Sequence, residues 1–538
     1  MTQVLEFDAL VVGAGFGGIY QLYRLRELGL NVVVIDAAGD VGGTWYWNRY
    51  PGAMSDTESY IYRYSWDKED LLKYHWKEHY VKQPEVLAYL EHVADRYDLK
   101  KHMHFNTELK DARWDDTTHR WVIQTSTGNE YRVRYLLGLL SKQHFPPYPG
   151  IGGFKGEMYH TGKWPHQHDF SNKRVGVIGN GSTGVQVITA LAKQVKSLLS
   201  FQRTPQYSVP SGDGPVDAKY REKIQMNYDN IWNQVRQSNV AFGFVESDIS
   251  AKSVSPEERE RIFEEAWQMG NGFRFMFWTF NDLTTDPECN EYACEFIRKK
   301  IRQTVKDPVK AEKLCPQDFY ARRPLCDAGY YQQFNRPNVD IVDLRKVHIA
   351  EFTPHGIRTS DNVEHELDVI IFATGFDAVD GNYTRVAIKG RSGASLKEHW
   401  ADTGPTTYLG VSVPDFPNLF MITGPNGPFT NIPPTIETHV EWISELIGKA
   451  EKDRKEKSDG GGGEDIIVEA TPEAEEGWTQ LCKDLSDKSL FKLTASWIFG
   501  ANVPGKKNTV MFYFGGLGNY RKKLEEVRQG GYRGYKPF

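Results

Sequence analysis

Two short stretches of this chain repeat one pattern. "VVGAGFGGIY" occupies 11–20 and "VIGNGSTGVQ" occupies 177–186. Each places three glycines between a strand-like apolar run and a helix-like run: Gly13, Gly15 and Gly18 in the first, Gly179, Gly181 and Gly184 in the second. In such a loop the first glycine makes the turn, the second lets backbone approach a pyrophosphate, and the third lets the helix pack close to the strand. The helix N-terminus then turns the positive end of its dipole toward the phosphates. Two such units constrain the chain to an α/β fold with two Rossmann-like dinucleotide-binding domains. Its 538 residues leave room for a core in each.

The residues that follow each loop differ. Asp36 closes the strand after the first, where a carboxylate can accept a hydrogen bond from a free ribose 2′-hydroxyl. At the matching place after the second stands Arg203, followed by Thr204. A guanidinium there favours a 2′-phosphate. The first unit is therefore expected to take FAD or NAD and the second NADP, a pairing that suits hydride transfer from NADPH to a flavin. "GGTWYWNRYPG" at 42–52 supplies Gly43 and Thr44, where backbone can lie along the flavin's phosphates and ribityl chain. "HELDVIIFATGFDA" at 365–378 reads as a buried strand ending in a small-residue turn that permits close approach of the chain.

Between the two loops lies "FKGEMYHTGKWP", with Phe154, Gly156, His160, Trp164 and Pro165 in the form FxGxxxHxxxWP. On this stretch the chain resembles the type I flavin-dependent Baeyer–Villiger monooxygenases. The resemblance extends through "GGTWYWNRYPGAMSDTESY", "FQRTPQYSVP", "ARRPLCDAGYYQQFNRPNV", "TGPNGPFTNIPPTIETHVEWI" and "SWIFGANVPGKKNTV", nearly the whole chain. It implies FAD and NADPH as cofactors and a ketone and O2 as substrates. A flavin C4a-peroxide would attack the ketone carbonyl, and the adduct would rearrange to an ester or lactone. Such a site must stabilise anionic oxygen, exclude water and hold the ketone in place.

The resemblance also assigns residues. Arg323 would be the active-site arginine, Asp56 the acid that orients it, and Trp497 a tryptophan on a loop closing over NADP. Arg322 would help hold the NADP phosphate. Trp45, Tyr62 and Ile432, with Ser182, Thr183 and Gln186, join the expected cofactor contacts. Phe429, Thr430 and Ile432 would line the ketone pocket, with Phe277 and Phe499 beside them. His160 would be a structural coupling residue at the domain junction. Asp36 departs from the Glu of many relatives but keeps the acceptor. N- or S-oxygenation on the same scaffold is the first alternative. Others are a flavin disulfide reductase using Cys289 and Cys294, and a non-enzymatic NADPH sensor.

Pattern shifts mark the linker and the helical insertion, and the resemblance implies that the C-terminal remainder completes the FAD domain. Residues 1–145 and 381–538 are expected to form the FAD domain, 146–216 and 333–380 the NADP domain, and 217–332 a helical insertion. The run at 460–463 reads as a flexible surface loop.

Composition removes other classes. A net charge of −6 gives no general attraction to nucleic acid or anionic lipid. No apolar run approaches a membrane span, and a strand is expected almost at once after Met1, without a signal peptide. Five scattered cysteines suit a reducing cytoplasm. "HTGKWPHQH" could suggest a metal, but no cysteine joins His160, His166 and His168, and Asp169 is the nearest acid, so no metal is expected. The chain is expected to act as a cytoplasmic monomer.

Overall fold

In the strand Val4–Val12 the residues that enter the sheet first are partly exposed and the last four are buried. Val32–Ile35 is buried along its whole length. Such continuous apolar runs belong to parallel strands covered on both faces, and here Val4–Val12 pairs in parallel with Val32–Ile35 on one side and Glu130–Gly138 on the other. The computed structural model describes residues 3–138, 146–381, 383–459 and 466–538. The glycine run 460–463 and residues 139–145 lie outside them.

The first sheet runs Ala387–Lys389, Leu109–Asp115, Arg120–Thr125, Glu130–Gly138, Val4–Val12, Val32–Ile35, Met103–His104, and Leu419–Met421 also pairs with Glu130–Gly138. It thus draws strands from both ends of the chain. The second sheet is wholly parallel, in the order Val339–Asp343, Ser197–Gln202, Arg174–Ile178, Val369–Phe372, Glu157–His160. The helices Phe16–Glu27 and Ser182–Leu191 follow the first strand of each unit.

Both glycine loops obey one steric rule. Gly13 and Gly179 have φ of 100° and 102°, open to glycine alone at little cost. A Cβ on Gly18 would lie 1.7 Å from the Gly13 carbonyl oxygen, and one on Gly184 would lie 2.2 Å from that of Gly179.

Between 217 and 332 the chain is mostly helical: Ala218–Gln237, Pro256–Met269, Gly272–Phe277, Pro287–Thr304 and Pro308–Leu314. The side chains of Asp217, Ser255, Asn271, Asp286 and Asp307 cap them in turn. The stretch 289–315, helical in spacing throughout, is broken at Val305, because Pro308 cannot continue a helix and instead opens the next one after its Asp307 cap. These helices do not share one core. Trp232 and Val235 of Ala218–Gln237 pack into the core of the first sheet, whereas the others pack against the second.

The long helix Ile432–Asp459 covers Phe16–Glu27, with Gln21 Nε2 donating to Ser444 Oγ at 2.9 Å. On it Glu437 is buried, accepting from the Ser65 backbone N–H and hydroxyl at 2.5 Å each. Burial, reinforced by the charge of Glu441, pushes its carboxyl from the ordinary 4.5 up to about 7. A raised folded-state pKa means stability that is full below pH 4.5 and is lost as pH rises through about 7. Glu437→Gln is therefore expected to match the parent near pH 4 and to exceed it at pH 8 by about 3 kcal/mol. Thermal melts at both pH values measure the difference; parallel pH profiles for the two proteins would contradict it.

Candidate functional site

The first cradle is backbone laid on backbone. A Cβ on Gly15 would sit 3.3 Å from Gly43 Cα, one on Gly43 would sit 2.8 Å from Gly15 Cα, and Gly42 N–H donates to Ala14 O at 2.9 Å. Gly43 has φ 52° and caps the short helix Thr44–Trp47. Asp36 is buried; its Oδ2 accepts from Ala14 N–H at 2.6 Å and its Oδ1 from Ala38 N–H at 2.7 Å. Burial raises its pKa against these two bonds. The acid read as a ribose partner thus also braces the turn, and each oxygen keeps acceptor capacity for a hydroxyl. Trp45 Nε1 donates to Tyr62 Oη at 3.1 Å, with the rings edge-on.

The second cradle is open where a phosphate would approach. A Cβ on Gly181 would meet nothing within 4 Å, unlike those on Gly179 and Gly184. The Thr204 carbonyl fixes Asn180 Nδ2 at 2.8 Å. Arg203 is exposed just beyond the strand. Arg322 pairs with Asp318 at 2.5 Å, and its Nε is buried without a hydrogen bond. Burial depresses its pKa; Asp318 opposes the shift and the like charge of Arg203 adds to it. Two guanidiniums near enough to repel, with only Arg322 paired to Asp318, leave positive charge for a phosphate. Gln186 is buried, accepts from Tyr50 Oη at 2.8 Å and donates to Met54 O at 3.0 Å, tying the second unit to the first.

Asp56 and Arg323 meet between the cradles. Arg323 Nη2 lies 2.8 Å from Asp56 Oδ2; the Asp56 side chain is 4% exposed and the Arg323 side chain 39%. Burial raises the Asp56 pKa while Arg323, and Ser182 at the head of the second cradle's helix, pull it down. Asp56 Oδ1 nevertheless has no hydrogen bond of ordinary geometry. Thr183 similarly lowers the pKa of the buried Tyr50 phenol, which burial pushes above its ordinary value. The start of the second cradle's helix therefore faces the acid–arginine pair. With the open Gly181 backbone and the unpartnered Asp56 Oδ1 and Arg322 Nε, the residues present fit two dinucleotides meeting here.

Residues that sequence reasoning missed hold this pair. Asn271, at φ 78°, donates through Nδ2 to Asp56 O and Tyr80 Oη, both at 3.0 Å, and its Oδ1 caps Gly272–Phe277. Asn431 accepts from Thr57 Oγ1 and donates to Ala241 O, both at 3.0 Å. Arg323 stands 6.0 Å from the Phe273 ring centroid, and Phe242 stacks on Phe273 at 4.0 Å. Of the expected pocket residues, Phe277 packs against this group. Phe429 and Phe499 gather instead around Phe514, at 5.4 and 6.1 Å, and Trp497 joins them through Phe512. Phe273 and Phe277 share a helix face, the one sequence signal that could have found Phe273. Thr430 Oγ1 meets Thr435 Oγ1 at 2.5 Å, and Ile432 is 49% exposed, unusual for an isoleucine at a helix start beside two cores.

The fingerprint lies at the edge of the second sheet. His160 ends the strand Glu157–His160; its Nδ1 accepts from Gly162 N–H at 3.0 Å and its Nε2 is 3.5 Å from Thr374 Oγ1. A Cβ on Gly156 would strike Asp368 O at 2.4 Å, Phe154 is buried beside it, and Trp164, just before Pro165, packs on Tyr159 and Phe170. His168 takes the Trp164 indole N–H, and His166 lies against Arg49. Among the described residues no three His, Cys, Asp or Glu are grouped to hold a metal. All five cysteines are free and buried; burial pushes the thiols of Cys289 and Cys294 to about 12 and about 11, which disfavours a reactive dithiol.

The flavin-binding monooxygenase-like family description matches residues 8–210. A "Baeyer-Villiger monooxygenase" of Pseudooceanicola batsensis is 54% identical, the match covering 98% of this chain and 95% of that one. "Phenazine N-monooxygenase PhzNO1" of Lysobacter antibioticus is 50% identical, over 98% and 97%. The crystal structure of cyclohexanone monooxygenase from Rhodococcus sp. Phi1 bound to NADP+ superposes with a TM-score of 0.96 at 53% identity, covering 100% of this chain and 99% of that one. The chain belongs to the flavin-binding monooxygenases, and within them to the Baeyer–Villiger monooxygenase family.

Among the described residues Arg323 is the one cation in ion-pair contact with Asp56. Arg323→Ala leaves a buried carboxylate whose pKa rises further, so stability is lost as pH rises through that value. The expected loss at pH 8 is about 2 kcal/mol, below that of breaking a fully buried pair because Arg323 is half-exposed. Adding Asp56→Asn should restore it. Denaturation at pH 5 and pH 8 measures both effects, and equal stability of Arg323→Ala and parent at pH 8 would refute the pairing.

Proposed function

We propose that this protein is an NADPH- and O2-dependent flavoprotein monooxygenase that converts ketones, cyclic ones included, to esters or lactones by Baeyer–Villiger oxidation. The observation that carries this reading is the Asp56–Arg323 pair, set where the two cradles face each other. FAD is assigned to the first cradle, through Gly13, Gly15, Gly18, Asp36, Gly43, Thr44, Trp45 and Tyr62, and NADPH to the second, through Gly179, Gly181, Ser182, Thr183, Gly184, Arg203, Thr204 and Arg322. Bound FAD supplies the redox chemistry, accepting hydride from NADPH and passing electrons to O2.

The chain's own part is electrostatic and steric. Arg323 stays charged at any working pH and offers fixed donors to anionic oxygen without a proton transfer. Asp56 orients it, and Asn271 holds Asp56 by its carbonyl. Phe242, Phe273 and Phe277 give the ketone an apolar wall beside the guanidinium, and Phe429, Phe499 and Trp497 exclude water, as such chemistry requires. Residues 1–145 and 381–538 are assigned to the FAD domain, 146–216 and 333–380 to the NADP domain, and 217–332 to the insertion. No helix among the described residues is long and apolar enough to cross a membrane; with its net charge of −6, this supports a cytoplasmic enzyme without a nucleic-acid partner. We assign it as a monomer.

The Lysobacter relative favours N-oxygenation as the second reading. One experiment separates the two: flavin-loaded protein, NADPH and air with cyclohexanone or with phenazine, followed at 340 nm and by product analysis. Ketone-stimulated NADPH consumption with lactone formed is expected; N-oxide from phenazine without lactone would replace the reading. Arg323→Ala is expected to keep its flavin and lose two to three orders of magnitude in lactone formation, about 3–4 kcal/mol in barrier. Arg203→Ala should raise KM for NADPH roughly tenfold and leave KM for NADH unchanged, about one phosphate contact's worth; equal shifts for both nucleotides would remove Arg203 from the phosphate site.

A further inference from the structure

The loop that carries Trp497 ends in an unusual contact. Lys506 is 14% exposed on its side chain, and its ammonium lies between two carboxylates, 2.7 Å from Asp377 Oδ1 and against Asp380 Oδ1. Asp377 also meets Arg385 Nη2 at 2.8 Å. Asn502, on the same loop, donates to Phe376 O at 2.8 Å. One loop thus supplies the donors and one turn, 376–380, the acceptors.

That turn is not relaxed. Val379, between the two aspartates, has φ 68°, a conformation that β-branched residues avoid. A Cβ on Gly381 would strike Asp377 O at 2.2 Å, so the turn is closed tightly on itself. Backbone held in this way persists only where its surroundings over-determine it. Burial alone would disfavour charge on Asp380, and Lys506 opposes that.

The turn is continuous with the nucleotide cradle. A Cβ on Gly179 would lie 2.5 Å from Ala373 O, and Ala373 N–H donates to Ile178 O at 2.9 Å. The Phe376 ring stands edge-on to His160 of the fingerprint. Whatever fixes 376–380 therefore bears on the Gly179 loop through two or three residues.

We propose that Lys506 is the clasp of the Trp497 loop: by entering between Asp377 and Asp380 it holds the loop closed and sets the strained turn that abuts the second cradle. The coupling to nucleotide rests on the reading of that cradle as the NADP site. Lys506 is a positioning residue, acting through the turn. With the ammonium withdrawn, Asp377 keeps Arg385 but Asp380 loses the cation set against it, and the turn loses what holds Val379 at positive φ.

The test is hydrogen exchange by mass spectrometry on the flavin-loaded protein, with and without NADP+, together with NADP+ titration. Lys506→Met is expected to speed exchange in both 497–507 and 376–381 and to weaken NADP+ binding between about 5- and 150-fold, the usual range for coupled sites. Lys506→Arg, whose guanidinium can still span both carboxylates, should stay near the parent. Val379→Gly removes the strain at positive φ, so the Lys506→Met effect should shrink in that background, a non-additive cycle. Asp380→Asn is the milder second variant, expected to fall between parent and Lys506→Met. Unchanged exchange at 376–381 in both Lys506→Met and Asp380→Asn overturns the clasp. Faster exchange there with unchanged NADP+ affinity overturns the coupling. If the parent itself fails to bind NADP+, the nucleotide reading fails, while the nucleotide-free exchange still decides the clasp.

Discussion

A buried acid paired with a half-exposed guanidinium is the constraint to which the rest of this structure answers. Asp56 sits where water cannot stabilise its charge, so Arg323 must stay close. Holding one end of that pair takes the strand Met54–Glu58, the Asn271 amide and the Tyr80 phenol; holding the other takes the insertion that delivers Arg323. The two nucleotide loops are then arranged around it, the second directing Ser182 at the same acid. The insertion is therefore part of the site: without it neither Arg323 nor Phe273 would reach the space between the cradles.

How much of this can be read from the sequence depends on how local each cause is. The glycine loops are legible because their constraint is steric and short-range: Gly18 meets Gly13, and Gly184 meets Gly179. The place of Asp36 at the end of its strand is legible for the same reason, since it braces the turn at Ala14 and Ala38. Asn271 and Asn431 are not, since the groups they bind lie hundreds of positions away and an asparagine in a loop announces nothing by itself. Gln186 carries contacts that its loop pattern does not announce. Its place on the loop's helix suggests a cofactor contact, but the neighbouring unit decides which way its amide turns. The break at Val305 shows a third case, where helical periodicity carries across a proline that the backbone cannot pass.

The aromatic residues divide along similar lines. Phenylalanine is so frequent here that composition cannot say which rings face the site. Helix phase narrows the choice in Gly272–Phe277, where Phe275 turns to the core and Phe273 toward Arg323. Phe242 has no such local cue and is placed only by its stack on Phe273.

The chain passes from the first sheet to the second after Gly138 and returns after Phe372. These two passages are fastened to each other at both ends. In the second sheet Glu157–His160 and Val369–Phe372 are ladder neighbours, and at the first sheet Tyr383 Oη donates to Gly138 O at 2.7 Å. The outward and return crossings therefore cannot be drawn apart without breaking the β-ladder at one end or the Tyr383–Gly138 hydrogen bond at the other.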